Sequence, residues 1–562
     1  MQAGFGKSII NFILGSKGTP LMGYASLDQR AIQKESELFV RSILLVGEKN
    51  NPVFSVCMEV CFASYQLKHD IVKYFERKDY AYKPIFSNLM LHAQNTHSAP
   101  GGYSSYLLHN LLSGGFNKNF YNALLEATIK AIEQSIKSVN SAKIILNVSE
   151  IDEEKNLAFN RNLAAYNANK DVSLMSENQT HLALNRWVKQ LKIIDKDGGE
   201  KGIINWFGVH GNSVGPEKRL VSSDNKGYAA SIFEKEMAEN QGFVAIFAQE
   251  AAGDISPNYH GNALRWPRGK YEDSFKSAYF NGFLQYEKAV ELCKQTEVDI
   301  PIIGTIKADS AFYDFSNFTL NEKYSDSGEL SLGQASLGLS VIRGLDVDSQ
   351  GINPFTANLI AAWIKLNTFF NEAPLIASRK KRLRMKKLKR IQGSKEILIE
   401  LEQKKIAGFK RLNNIPLANP FSDLLSIFKK AYQKRVTHKF DWWPSIIELQ
   451  YIQIGSLLII GIPGDITSQA AVRLKQAVMD ASEHQFLDVI INSYANDYCG
   501  YICTPEEYDK QYYEGGFTVY GRETLGAFQT AYTELIKGSK QSALKTKRPK
   551  ALSSEELEQM IF

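Results

Sequence analysis

Residues 456–494 read "SLLIIGIPGDITSQAAVRLKQAVMDASEHQFLDVIINSY". The run "SLLIIGIPGD" (456–465) suits a buried strand, since a short continuous apolar stretch closed by turn residues matches a strand covered on both faces. "AAVRLKQAVMDASEHQ" (470–485) reads as a helix, and "FLDVIINSY" (486–494) is a second buried strand. Elsewhere in the chain, "AKIILNV" (142–148), "GIINWFGVH" (202–210) and "GFVAIFAQ" (242–249) repeat the apolar-strand signature. Between such runs, Leu125, Ile129, Ile132, Ile136 and Val139 follow steps of four and three, an apolar stripe along one helix face. Strands alternating with helices predict an α/β or mixed α+β fold with covered sheets.

At 562 residues the chain is long for one core, so it predicts two lobes or one large domain with insertions. Its 44% hydrophobic and 22% charged residues are ordinary for a globular protein. No stretch approaches the ~20 apolar residues that span a bilayer. "IINFIL" near the N-terminus is too short for a signal-peptide core. The chain is therefore expected in the cytoplasm, or secreted without a cleaved leader, with the acidic and apolar end "SSEELEQMIF" resembling C-terminal signals of bacterial effectors. The five cysteines (57, 61, 293, 499 and 503) lack C-x-x-C spacing and lie in apolar or aromatic surroundings. They read as buried thiols, not as a disulfide frame or a thiolate zinc site.

The net charge is +6, but residues 379–411 hold 14 Lys/Arg against 3 Glu, a local +11 that leaves −5 for the rest. "RKKRLRMKKLKR" (379–390), passing into "SKEILIELEQKKIAGFKRL", predicts a basic helix or helical hairpin inserted in the fold, a segment placed at 379–413. Either it is a solvated face or it adheres to anionic lipid, where each basic residue near the surface is worth ~1 kcal/mol. No nucleic-acid motif accompanies it, and the body is acidic, so no nucleic-acid partner is expected. Residues 537–562 read as a low-complexity tail, mobile or an address signal and outside the core.

Polar clusters follow the strands directly. His210 closes one, Ser256 follows the next in "AQEAAGDISPNYHG" (248–261), Asp465 ends a third, and "NDYCGY" (496–501) lies beyond a fourth. Ligands of α/β sheets gather outside the carboxyl ends of strands, so these clusters are expected to share one cleft. Each residue alone has an ordinary structural reading. Ser256-Pro257 is a good helix start, since Ser caps and Pro fits the first turn. His210 reads as a core residue, and Tyr501 and Tyr513 as aromatic packing.

Taken together, six segments in order resemble the neutral (non-lysosomal) ceramidase family. They are "LMGYASLDQRA" (21–31), "NTHSAPGGY" (95–103), "NWFGVHGNSVGPEKRLVSSDNKGYAA" (205–230), "AQEAAGDISPN" (248–258), "DWWPSIIELQYIQIGSLLIIGIPGDITSQAAVRLK" (441–475) and "NDYCGYICTPEEYDKQYYEGGFTVYG" (496–521). The resemblance spans residues 2–535 and implies one catalytic domain, 1–536, of two mixed β-sheets flanked by helices. It implies a zinc-dependent amidase that splits ceramide into sphingosine and fatty acid, with contact to a membrane surface. Relatives of this kind commonly carry a C-terminal immunoglobulin-like domain, whereas only a short tail follows Tyr532 here.

The resemblance also implies roles. Ser256 matches the active-site serine, His97 an active-site histidine, Arg161 in "FNRNLAAY" the active-site arginine, and Tyr513 a second active-site tyrosine. His210 and Tyr501 match zinc ligands. Two ligand positions depart from the pattern: Asn95 stands where the family has histidine, and Asp465 where it has glutamate. Asn is a weak donor to zinc, and Asp is one methylene shorter, so the site should bind zinc less tightly or take a harder ion. His92 does not substitute for Asn95, because their odd spacing on a strand points them to opposite faces. Three functions remain open at this point: a ceramide amidase, a weakened or silent sphingolipid- or membrane-binding protein on the same scaffold, and an amidase for another N-acyl lipid. Within the first, either a metal-bound water or Ser256 is the nucleophile, with His97 as acid/base partner.

Overall fold

The computed structural model describes the chain except residues 25, 27, 112, 240–241, 259–268, 296–298, 346, 375–376, 411–421, 545–546 and 562, and the side chains of 349–350 and 422–426. Among the described residues the large sheet has nine strands. Eight run in spatial order Val244–Gln249, Glu200–Phe207, Trp187–Asp195, Asn140–Glu150, Gln2–Ile9, Phe39–Val46, Pro52–Met58, Leu89–Ala93, with Ile300–Ile302 paired to Asn140–Glu150. Its neighbours are antiparallel except at the two ends, where the Glu200–Phe207/Val244–Gln249 and Pro52–Met58/Leu89–Ala93 pairs are parallel. A smaller sheet orders Ile306–Asp314, Ile446–Ile454, Leu457–Gly461 and Asp488–Asn492, the last pair parallel.

The sheets face one another. Ile43, Leu45, Ile204 and Ile246 of the large sheet and Ile452, Ile459 and Ile490 of the small one form a single buried cluster. Helices cover the outer faces, so the central strands are buried on both sides, which is why they read as continuous apolar runs. Helix Lys118–Lys137 lies across Gln2–Ile9 and Phe39–Val46. It sits so close that a Cβ on Gly4 or Gly6 would fall 1.9 or 2.0 Å from the carbonyl oxygens of Ser135 and Ala131. Asp224–Glu236 packs on Val244–Gln249 and on helix Ser274–Lys294, while Ser468–Ala481 contacts Asp488–Asn492 and helix Thr524–Lys537. The expected mixed α/β architecture, two mixed sheets flanked by helices, is what the chain adopts.

Two expectations need correction. The basic helix is present as Arg379–Gln392, capped by Ser378 and ended at Gly393, whose φ is 57°. Residues 394–410 of the following "SKEILIELEQKKIAGFKRL" are not a second helix. Ile397–Glu400 pairs with Ser336–Gly338 and with Lys405–Ile406, because β-branched residues beyond a helix-ending glycine favour a pleated surface. Residues 411–413 of the expected insertion lie outside the described residues. The tail, expected to be mobile, folds back. Leu557 and Met560 are buried in the main core, Leu544 bridges to Phe312, and Lys118 bonds Glu558. Low-complexity composition hid apolar anchors that pack singly.

All five cysteines are free and buried. Among the described residues no helix is long and apolar enough to cross a membrane.

Candidate active site

Strand topology brings the polar clusters together. Beyond the parallel strands Glu200–Phe207 and Val244–Gln249 come His210 and Ser256, and beyond Leu457–Gly461 and Asp488–Asn492 come Asp465 and Tyr501. Short ladders complete the assembly. Asp465 pairs directly with Tyr501 in a parallel two-residue ladder. Ile255–Ser256 pairs antiparallel with Phe159–Asn160, which sets Arg161 beside Ser256. A bridge between Thr96 and Gly211 carries His97 to His210, their ring centroids 5.9 Å apart.

His210 is held in one tautomer. Its Nδ1 lies 3.1 Å from the Ile255 carbonyl, which only accepts, so Nδ1 carries the proton and Nε2 presents a lone pair. Nε2 is 3.3 Å from Asp465 Oδ1 and 3.4 Å from Tyr501 Oη. The Asp465 carboxylate accepts from Tyr498 Oη at 2.6 Å and also from Tyr494 Oη. Burial and the Asp465 charge raise the Tyr501 phenol well above its ordinary pKa.

These atoms fit the zinc that the family implies. Bonds of 2.0–2.1 Å in a tetrahedral site put neighbouring ligand atoms roughly 3.3–3.4 Å apart, the spacing found around His210 Nε2. Asn95 precedes Thr96, which bridges to Gly211 beside His210. It sits at φ 68°, a conformation Asn tolerates; its Nδ2 donates to the Cys61 carbonyl at 3.2 Å, and its buried Oδ1 has no partner. An orphaned buried acceptor costs about 1–3 kcal/mol, a penalty that an ion beside it would relieve. Among the described residues no three His, Cys, Asp or Glu side chains form a metal group, so a set here depends on the phenol and amide oxygens. His92 lies apart, its Nε2 bonded to Ser55 Oγ at 3.1 Å.

Ser256 faces a second group of charges. Its hydroxyl donates to Asp348 Oδ1 at 2.6 Å and accepts from the Asn258 amide at 3.0 Å. The latter is also the bond a capping serine makes, and the chain after Asn258 leaves the described residues at 259–268. Asp348 pairs with Arg161 Nη1 at 2.8 Å and accepts from Asn258 Nδ2 at 3.0 Å. Burial opposes ionisation of Asp348, but the Arg161 charge and these hydrogen bonds prevail and hold its carboxyl below the usual range. Arg161 also pairs with Glu514 at 3.0 Å, donates to Gly253 O and Tyr501 Oη, and lies 5.9 and 5.8 Å from the ring centroids of Tyr501 and Tyr513.

His97 and Tyr513 stay partly exposed, whereas Ser256, His210, Asp465 and Tyr501 are buried. The His97 Nδ1 has no partner, and burial, then His210, push its pKa down to about 3. Its ring rests on Gly23, where a Cβ would come within 2.3 Å of it and φ is 123°. The structure thus brings together the side chains of His97, Arg161, His210, Ser256, Asp465, Tyr501 and Tyr513 that were singled out in the sequence, while the Asn95 side chain contacts Cys61. It adds Asp348, Glu514, Tyr494 and Tyr498. Tyr498 lies inside "NDYCGY"; Asp348 lies in "GLDVDSQG", which carries no signal of its own.

A sequence profile described as neutral/alkaline non-lysosomal ceramidase, N-terminal, matches residues 14–410 and 431–530. The neutral ceramidase of Pseudomonas aeruginosa is 27% identical over 542 residues, covering 95% of this chain and 71% of that protein. The neutral ceramidase of Mycobacterium tuberculosis is 27% identical over 533 residues, covering 92% and 74%. A solved structure described as ceramidase complexed with C2 superposes with a TM-score of 0.78 at 25% identity, covering 98% of this chain and 77% of that one. The crystal structure of the Pseudomonas aeruginosa neutral ceramidase gives 0.72 at 26%, covering 96% and 74%.

Proposed function

Since the chain belongs to the neutral/alkaline non-lysosomal ceramidase family, we propose that it is a hydrolase that cleaves the N-acyl amide bond of ceramide to sphingosine and fatty acid. The observation that carries this reading is the Ser256 hydroxyl, donated to an ionised Asp348 next to the His210, Asp465 and Tyr501 donor atoms. Zinc, held by His210, Asp465 and Tyr501 with Asn95 as a weaker fourth donor, would supply Lewis acidity to the amide carbonyl.

The protein's own groups do the rest. Ser256 Oγ attacks the carbonyl carbon while Asp348 takes the hydroxyl proton, a general-base contribution of roughly 10²–10⁴-fold. The C–N bond then breaks, and the leaving nitrogen takes up a proton. His97, whose buried Nδ1 has no partner, relays that proton from Asp348. Water hydrolyses the acyl-serine ester by the same route and releases the fatty acid. Arg161 keeps Asp348 ionised and, with Tyr513, stabilises the developing oxyanion or the polar head of the lipid. Membrane contact through 379–411, residue 411 lying outside the described set, is proposed beside this chemistry and independently of it.

Release of fatty acid from ceramide tests this with zinc supplied, comparing wild type, Ser256→Ala and Asn95→His. Wild-type hydrolysis lost in Ser256→Ala supports the amidase. Hydrolysis seen only in Asn95→His would favour the silent scaffold, for which the neutral amide at Asn95 is the specific observation. Hydrolysis of other N-acyl lipids but not ceramide would move the substrate.

A further inference from the structure

Helix Pro354–Glu372 is apolar on two faces. Ala357, Ile360, Ala361 and Ile364 are buried in the fold. On the other side Phe355, Leu359, Leu366, Phe369 and Phe370 remain 45–71% exposed. Positions 355, 359, 366 and 370 advance by four, seven and four residues, one stripe of a helix, and the helix carries only Lys365 and Glu372 as charges. Scattered exposed apolar residues need no explanation, but a continuous stripe of this kind marks an interaction surface.

The neighbouring helix, Arg379–Gln392, is tied to the first by the Lys389–Glu372 ion pair at 2.7 Å. Arg384 and Arg390 are also paired, with Glu400 and Glu329. Among the described residues Arg379, Lys380, Lys381, Lys386 and Lys387 have no acidic partner, and Leu383, 57% exposed, lies in their midst. An apolar stripe beside unpaired cations matches the two layers of a lipid surface carrying negative headgroups. A second copy of this chain fits poorly, because it would bring the same cations against one another. A free anion would leave the apolar stripe unused.

We propose that helices Pro354–Glu372 and Arg379–Gln392 dock the protein on an anionic bilayer, with Phe355, Leu359, Phe369 and Phe370 entering the acyl boundary and the unpaired cations on the headgroups. The apolar helix follows the site closely along the chain. The Gly344–Leu345/Ser349–Gln350 hairpin, which carries Asp348 to Ser256, leads directly into Pro354. Docking there would let an N-acyl lipid reach Ser256 from the bilayer. That last step rests on the ceramidase reading; the docking does not.

Flotation with phosphatidylcholine vesicles, with and without phosphatidylserine, separates the two. Wild type should bind the anionic vesicles at least tenfold more tightly, less so at high salt. Lys380→Glu/Lys386→Glu/Lys387→Glu should lose that preference. Phe355→Ser/Leu359→Ser/Phe369→Ser should lose binding to both vesicle types while keeping wild-type hydrolysis of detergent-dispersed ceramide and an unchanged melting temperature. Vesicle binding unaltered in both variants would overturn the proposal. So would a lipid-free wild-type dimer that the serine variant dissociates. Absent turnover with intact vesicle binding would instead count against the catalytic reading alone.

Discussion

At the scale of single residues, Asp348 decides how Ser256 behaves. A serine hydroxyl bonded at 2.6 Å to a carboxylate that Arg161 keeps ionised is aimed and has a proton acceptor at hand. Asp348→Asn should lower kcat roughly a hundredfold or more. Arg161 would still have Glu514 at 3.0 Å, so the fold should persist, as a thermal melt would show. At the metal position, Asn95→His should raise zinc retained through dialysis, measured by elemental analysis, because imidazole is the better donor and His also tolerates a positive φ. Retention equal to wild type would detach Asn95 from the ion. Ser256, His210 and Tyr501 were legible in sequence because each follows an apolar strand inside a recognisable motif. Asp348 was not. It reaches Ser256 across 92 residues of chain from a loop with neither periodicity nor motif, and only folding reveals that contact.

At the scale of elements, the site depends on two-residue ladders and tight loops appended to long strands. The strands themselves were legible, since continuous apolar runs admit few other readings. The ladders were not, because two residues carry no pattern. Gly23 shows how little room they leave: Gly23→Ala would push into the His97 ring and should cut turnover more than it lowers stability, read as kcat beside a urea midpoint. The loop from Asn492 to Tyr501 holds Asp497, whose pKa burial raises to about 7. Its folded form therefore keeps a proton that the unfolded chain gives up near pH 4. The stability this contributes is complete below that range and is lost as pH rises to about 7. Urea unfolding between pH 4 and 8 should show wild type losing stability relative to Asp497→Asn across that window. Parallel curves would refute the assignment. The basic segment was half legible: its helix followed from composition, whereas beyond Gly393 the β-branched residues form the strands Ile397–Glu400 and Lys405–Ile406.

At the scale of the whole molecule, two facing sheets place four strand ends around one cluster of buried polar side chains, and the C-terminal segment closes over the main core. Burial of Leu557 and Met560 should make truncation after residue 550 cost roughly 3–6 kcal/mol, seen as a lower urea midpoint. An unchanged midpoint would return the tail to the solvent. The α/β class was legible from alternating runs, but the packing of the tail was not, because its anchors are isolated in a polar sequence. The proposed hydrolysis turns on acylation of Ser256. Mass spectrometry of the protein, acid-quenched during ceramide turnover, tests this most directly. The peptide containing Ser256 should gain the mass of the fatty acyl group, and the gain should vanish in Ser256→Ala. Fatty acid released at the wild-type rate by Ser256→Ala, with no acylated peptide at any time, would contradict it.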